Sequence, residues 1–343
     1  MNPRKEKWQR FKQNRPALAG AVFIIMMIVV AIGGPFLRPD PTPDANSQEL
    51  SISRQKPGFT VTMLRTPQTV DNPGIFTSLW EGGYARDYAQ RPVSEYNAQG
   101  FTPFNEEQVQ TIPTDAEFVE ETFLLGTDKY GRDLLSRLMA GTSISLSVGF
   151  IAVLISLLIG VLLGALAGYF GGRIDALISW LINVIWSIPT LLMVIAITLA
   201  FGKGFWQVFI AVGLTMWVEV ARIVRGQFLS IREKEYVEAA RALGYGHWRI
   251  IRKHILPNAW GPVIVISAAN FASAILIEAG LSFLGIGAQI PTPSWGNMIK
   301  EHYSMITTDL AYLAILPGVM IMLLVLSFMM VGNGLRDALD VRS

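Results

Sequence analysis

The sequence predicts an all-α polytopic membrane protein with about six transmembrane helices, a basic loop among the later ones, and a large polar insertion between helices 1 and 2. Three observations predict it. Of the 343 residues, 51% are apolar and 16% charged, a membrane-like balance. The apolar residues gather in runs free of Asp, Glu, Lys and Arg: 16–37, 138–172, 176–202, 204–218, 254–277, 279–299 and 310–335. A helix of about 20 apolar residues crosses a bilayer. Residues 38–140, in contrast, hold no spanning run.

Run 16–37 is one span. Its basic leader resembles that of a signal peptide, but its length and its Gly33-to-Phe36 exit do not fit a cleavage site, so it is expected to stay as an anchor. Trp8 and Phe11 among the leader's charges suggest a short amphipathic helix on the membrane surface. Run 138–172 exceeds one span, and its first part is expected to lie at the interface. Gly160, Gly164 and Gly168 within it repeat on one helical face, where a neighbouring backbone can approach closely. Run 176–202 is the third span, kinked at Pro189 after Trp186-Ser187-Ile188. Run 204–218 reaches span length if Glu219 and Arg222 sit near the membrane edge or snorkel, and these two, three apart, can pair. Run 254–277 holds the fifth span. The Gly- and Pro-rich run 279–299 is its end plus a re-entrant or surface loop. Run 310–335 is the sixth, kinked at Pro317-Gly318. Glu278 is the one carboxylate inside the fifth span. It marks either a pore contact or a hydrogen bond to broken backbone near Gly280. Trp186, Pro189, Glu219 and Glu278 are the candidate pore or gating residues.

Lys and Arg orient the spans. Residues 1–15 hold Arg4, Lys5, Lys7, Arg10, Lys12 and Arg15. Residues 222–253 hold Arg222, Arg225, Arg232, Lys234, Arg241, Arg249, Arg252 and Lys253. Both segments are expected in the cytoplasm, together with the carboxyl tail carrying Arg336 and Arg342. The chain then divides into a cytoplasmic N-terminus and first helix (1–37), an extracytoplasmic insertion (38–140) and a five-helix core (141–343) with a loop at 232–257. The insertion carries 15 acidic and 9 basic residues and nine prolines: Pro39, Pro41, Pro43, Pro57, Pro67, Pro73, Pro92, Pro103 and Pro113. Phe59, Val61 and Met63 alternate with polar neighbours, which suggests a short strand. Trp80, Tyr84, Tyr88, Tyr96, Phe101 and Phe104 offer a modest core, and without cysteine no disulfide staples it. A disordered linker is the alternative; the aromatic residues favour an ordered cap.

The loop is the most informative segment. Residues 236–243 are good helix formers. Gly244 and Gly246 allow positive φ and a sharp turn. Residues 247–256 can form a second short helix, and Pro257 can begin a helix but not continue one. The order is Glu238-Ala239-Ala240, three residues, Gly244, nine residues, then His254-Ile255-Leu256-Pro257. This resembles the EAA loop of permease subunits in ATP-driven (ABC-type) importers, with His254 where the family has Ile. The resemblance implies that Glu238, Ala239, Ala240, Gly244, Leu256 and Pro257 couple the membrane part to an ATPase.

Further segments narrow the family. Gly126-Thr127-Asp128, Gly131-Arg132-Asp133 and Ser136-Arg137 resemble the GTD-x-x-GRD-x-x-SR motif of oligopeptide, dipeptide and nickel permeases. On physical grounds Asp128 suits the N-cap of a helix over 129–140, with Leu134, Leu135 and Leu138 as its apolar stripe. Glu278-Ala279-Gly280-Leu281-Ser282-Phe283-Leu284-Gly285 with Trp295-Gly296 resembles the same family. So does Gly332-Asn333-Gly334 through Asp340, with Val341 where the family has Pro. The resemblance covers about residues 120–343 and is nearest to the second, C-type, permease of an oligopeptide importer. It implies half of a translocation path for peptides or peptide-like solutes in a bacterial inner membrane, with both termini cytoplasmic. Its implied partners are a second homologous permease, two ATPase domains that bind the ATP and Mg, an outer solute-binding protein and the lipid bilayer. No nucleic acid is expected. Import of nickel or another chelate is the alternative cargo; a membrane-embedded hydrolase is the alternative class. No phosphate-loop pattern G-x-x-x-x-G-K-[ST], no H-E-x-x-H and no G-x-S-x-G occurs, and His247, His254 and His302 are dispersed. The chain is therefore expected to be no enzyme and to hold neither a cofactor nor a metal.

Overall fold

The computed structural model describes residues 3–70, 74–202 and 204–339. Pro73, Asp340, Val341 and Arg342 lie outside the described residues, as do the side chains of Arg4, Lys5 and Trp80. In chain order the elements are α1 (Pro3–Gln13), α2 (Arg15–Leu37), β1 (Phe59–Pro67), α3 (Ile75–Trp80), β2 (Tyr88–Asn97), β3 (Gly100–Pro103), β4 (Glu117–Phe123), α4 (Leu134–Phe170), α5 (Gly172–Trp186), α6 (Thr190–Phe201), α7 (Phe205–Arg232), α8 (Glu235–Ala242), α9 (His247–Ile250), α10 (Leu256–Phe283), α11 (Trp295–His302) and α12 (Tyr312–Leu339). Among the described residues five helices are long and apolar enough to cross a membrane. The pair α5 and α6, bent by 91°, makes a sixth if it is one broken span. The chain is a helical membrane protein, as expected.

Two compact units emerge, and the first comprises Met1–Ile25, Leu146–Gln289 and Ile321–Ser343. Here the glycine stripe of α4 lies against α7. A Cβ on Gly160 would fall 2.6 Å from Val220 Cβ, on Gly164 2.5 Å from the Ala221 carbonyl oxygen, and on Gly168 2.5 Å from Phe228 Cβ. Only residues without side chains permit that approach. Gly20 and Gly334 serve α2 and α12 likewise, meeting Ser327 and Ala17. Phe11 of α1 is buried with Ala17 and Ala338, while Trp8 stays exposed and stacks on it.

Three expectations about the helices need correction. Run 138–172 does not split into an interfacial piece and a span: α4 is one helix of 37 residues. It contains no proline, so nothing stops it. Second, α4 begins at Leu134 and not at residue 129. Asp128 accepts the Tyr130 and Arg132 backbone N–H groups in a turn, while Asp133 takes the N-cap role by accepting the Ser136 N–H at 2.8 Å. Third, α7 runs unbroken through Glu219 and Arg222, which restores span length, but the two do not pair. Arg222 lays its guanidinium 3.4 Å above the Trp186 ring. The sixth span runs through Pro317 as one helix.

The second unit comprises Met26–Ser145 and Ile290–Met320. Its centre is an antiparallel sheet in the order β3-β2-β1-β4. β1 pairs with both neighbours, Met63 facing Pro92 of β2 and Val119 of β4. Val61 and Met63 pack on one face with Ile52 and Phe123, and Phe59 and Phe104 join them. Leu64, Val93 and Phe101 form a second cluster. The alternation at Phe59, Val61 and Met63 therefore marks a real strand, and three more accompany it. Of the other aromatics, Tyr96 stacks on Phe118 and Tyr84 on Phe36, whereas Tyr88 lies under Arg65 and Arg86.

Buried arginines tie this unit together. Arg38 donates to the carbonyls of Asp40, Thr42 and Gly82, each at 2.6 Å. Arg132, 1% exposed, bridges Asp128 at 2.6 Å and Glu301 at 3.0 Å. Arg137 donates to the carbonyls of Asp44 and Pro291. Trp295, fully buried, donates its indole N–H to the Leu138 carbonyl and lies where a side chain on Gly141 would go.

Candidate coupling surface and pathway cavity

Helix α8 is amphipathic on a short scale. Val237 (0% exposed) and Ala240 (3%) enter a cluster with Tyr169, Val220, Phe228, Ile250 and Ile255. Glu238, Ala239 and Arg241 remain exposed, and Leu243 is 72% exposed. The helix ends in a Schellman motif: Tyr245 N–H donates to the Ala240 carbonyl and Gly244 N–H to that of Arg241. Gly244 has φ +76°, the left-handed conformation that this motif requires. Gly246, credited with the same freedom from sequence, is extended at φ −64° and precedes α9.

From α9 the chain continues into the next span without a turn. Residues Ile251–Ile255 form one π-helical turn and α10 follows. Pro257 lies in the first turn of α10; it has no N–H, and its ring excludes the carbonyl four residues back, so a wider turn accommodates it. Of the expected pair of short helices, the first stands as α8, and the second is the start of a single 37-residue helix, His247–Phe283. Leu256 packs half-buried on the same cluster as Val237, and Pro257 is exposed. Beside α8 a cavity of about 540 Å³ is lined by Tyr169, Phe170, Arg232, Glu238, Arg241 and His247. The Tyr169 hydroxyl and His247 Nδ1 are hydrogen-bonded at 2.9 Å within its wall.

A second cavity, of about 330 Å³, lies at the break between α5 and α6. Trp186, Thr190, Met193, Thr215, Glu219 and Ser273 line it. Pro189 opens α6 and makes the break, since it cannot continue α5. Glu219, Arg222, Gly226 and Ser230 are exposed on one face of α7, while Val220, Val224 and Phe228 bury the other. Nearby, Arg225 forms a bidentate ion pair with Asp175. The structure therefore brings Trp186 and Glu219 to one cavity and puts Pro189 at its hinge. Glu278, named with them from sequence, is not among its lining residues. It is 1% exposed and accepts the Ser282 hydroxyl at 2.6 Å, and Ser282 in turn accepts the Ala288 N–H. That carboxylate clasps the loop after α10.

Sequence reasoning missed Thr190, Thr215 and Ser273, isolated hydroxyls in apolar runs; the four-residue spacing of Thr215 and Glu219 was their only signal. It also missed Leu243 and Trp248, apolar side chains 72% and 71% exposed in a basic loop. One acidic cluster, Asp128 with Glu301 and His302, has the spacing of metal ligands, but Arg132 already neutralises both carboxylates. Burial holds the His302 imidazole below its usual range, its ring bonded to the Met298 carbonyl.

Residues 160–343 match the family model described as the inner membrane component of binding-protein-dependent transport systems. Residues 2–57 match the N-terminal transmembrane domain of oligopeptide transport permease C. A dipeptide transport system permease of Alkalihalophilus pseudofirmus is 43% identical over 215 residues, 63% of this chain and 70% of that one. A di/tripeptide permease of Pseudomonas aeruginosa is 35% identical over 99% of this chain and 92% of its own. A glutathione permease of Pectobacterium atrosepticum is 31% identical over 98% and 91%.

Proposed function

Because this chain belongs to the family of inner-membrane components of binding-protein-dependent transport systems, we propose that it forms half of the translocation path of an ATP-driven importer for peptides or peptide-like solutes. A second, non-identical permease supplies the other half. Two ATPase domains bind ATP and Mg and drive the cycle, and a solute-binding protein delivers cargo from outside. The termini and the loop 232–257 face the cytoplasm, in keeping with their Lys and Arg, and residues 38–140 lie outside.

The observation that carries this reading is the capped helix α8. It exposes Glu238, Ala239, Leu243 and Gly244 to a partner while Val237 and Ala240 root it in the packing of α4, α7 and α10. A push on the exposed face reaches the spans through that buried face. The cavity at Trp186 and Glu219 supplies the other requirement. Charged side chains exposed on a spanning helix are costly against lipid and belong on a water-filled path or a protein interface. Pro189 breaks the neighbouring span there and gives the path a wall that can move. Relatives over nearly the whole length transport dipeptides, tripeptides and glutathione by name, which favours peptides as cargo over nickel chelates.

The test is reconstitution of the transporter and its binding protein in vesicles, with labelled di- and tripeptides and, in parallel, nickel-63 free and as a chelate, each offered through the binding protein. ATP-dependent peptide uptake that stops when this chain is omitted is expected. Uptake of the metal alone would replace the peptide reading by the chelate one.

A further inference from the structure

Helix α3 carries an apolar face that no described residue of the chain covers. Ile75 is 68% exposed, Phe76 89% and Leu79 38%. On a helix these three fall within one arc of about 100°. Ser78, 3% exposed, points the other way and bonds back to the Gly74 carbonyl. No charged residue lies between Ile75 and Trp80.

The place of α3 in the fold gives that face its meaning. The segment that follows it is pinned to the end of the first span. Arg38, the residue after α2, donates to the Gly82 carbonyl at 2.6 Å. A Cβ on Gly83 would fall 2.6 Å from the Pro41 carbonyl oxygen, so the two backbones touch. Tyr84 N–H donates to that same carbonyl at 2.9 Å, and the Tyr84 ring stacks on Phe36 in the last turn of α2. Phe36 and Leu37 are themselves 51% and 56% exposed, as lipid-facing side chains at the end of a span are. The apolar surface of the span thus continues to within a few residues of α3, at the depth where hydrocarbon gives way to headgroups.

We propose that α3 is a lipid anchor, with Ile75, Phe76 and Leu79 inserted into the headgroup–acyl boundary of the leaflet that α2 reaches at Leu37. The anchor sets the height of the inserted sheet over the bilayer, because β1 and β2 leave from its two flanks. Short amphipathic segments bind membranes in this way, with the apolar face about 5–10 Å into the boundary. The inference rests on α2 spanning the membrane and is independent of the cargo.

The sequence makes the experiment direct. The chain has no cysteine, so Phe76→Cys gives it a single site for a nitroxide. Leu79→Cys is a second site on the same face, and Glu95→Cys, at an exposed position of β2, is the aqueous reference. The labelled full transporter is placed in phosphatidylcholine–phosphatidylglycerol vesicles, and the signal of the unsubstituted complex is subtracted. Power saturation then compares molecular oxygen, which concentrates in lipid, with a water-soluble nickel chelate. At residues 76 and 79 the oxygen-to-nickel accessibility ratio is expected to exceed that at residue 95 by at least about threefold. Equal ratios at the three positions would mean that the face is bathed in water, and the anchor would be refuted. Labels at 76 and 79 that are immobile and shielded from both reagents would mean that a protein subunit covers α3, which refutes it equally. Loss of transport through failed peptide delivery leaves the ratio untouched, so this result and the cargo assignment stand or fall separately.

Discussion

Helix α8 and the inserted sheet are both polar elements set on a membrane protein, and they are held by opposite means. α8 is rooted by aliphatic burial: Val237 and Ala240 enter a cluster of Val, Ile, Phe and Tyr side chains. Around the sheet, Arg38, Arg132 and Arg137 are almost fully buried and donate to carbonyls and carboxylates in fixed directions. Apolar contacts are non-directional and tolerate small shifts of position. A buried guanidinium fork holds only when its partners stand in place. The difference teaches what each region can do: contacts that can slide suit the coupling surface proposed for α8, and contacts that cannot suit a rigid outer insertion.

Four experiments sharpen or break this contrast. The largest effect is expected from Arg132→Met, which strands Asp128 and Glu301 in the interior. Breaking a buried ion pair from one side costs about 3–5 kcal/mol, and Arg132→Lys cannot restore both arms. Limited proteolysis of the sheet region reads the loss; a protease pattern like that of the parent would remove the directional half of the comparison. Next comes Val237→Ala, expected to cost about 2 kcal/mol from two buried methyl groups, against less than about 1.5 kcal/mol for Val237→Ile. Thermal unfolding in detergent orders the pair, and equal losses would mean that the root of α8 is as unforgiving as the arginine network.

Gly244→Val is expected to strain the helix cap by about 1–2 kcal/mol, since space is open there and only the positive φ resists. Uptake should fall nearly to background while insertion stays normal; normal uptake would detach the turn from coupling. The smallest effect concerns pH. Burial raises the Glu49 carboxyl to about 7, against the opposing pull of Arg91 and Arg86. A carboxyl raised in the folded state favours the protonated form, so its contribution is fully present below about pH 4.5 and is lost as pH climbs to 7. Partial exposure limits the change to about 1 kcal/mol. Glu49→Gln should flatten that slope in a plot of unfolding midpoint against pH.

The spans were legible because hydropathy in a bilayer is a one-dimensional signal. The break at Pro189 and the approach at Gly160, Gly164 and Gly168 follow from single residues. The turn at Gly244 was legible for the same reason: one residue sets one backbone conformation. The sheet was legible only at β1, where Val61 and Met63 alternate. β2 holds Pro92, and β4 carries Glu117, Glu120 and Glu121, so their pairing with β1 comes from tertiary hydrogen bonds that no local pattern announces. A charge in a span suggests several partners: Arg222 lies over Trp186 and not against Glu219, and of the two readings left open for Glu278 the structure shows a hydrogen bond near Gly280, from Ser282. The start of α4 moved because two aspartates five residues apart compete as caps, and Asp133 lies at the one the chain uses.

The continuity of the helix His247–Phe283 has a mechanical consequence. With no turn at Pro257, the segment just after Gly244 and the far end of the span are one rod of about 55 Å. A tilt of about 5° at the α9 end sweeps the opposite end through about 5 Å, roughly the pitch of one helical turn. At that opposite end the Glu278–Ser282–Ala288 clasp ties the rod to the loop that follows. Under the coupling proposed for α8, the rod would act as a lever with a handle in the basic loop and a latch at its tip, and a displacement too small to unseat Val237 from its cluster would be amplified before it reached the latch.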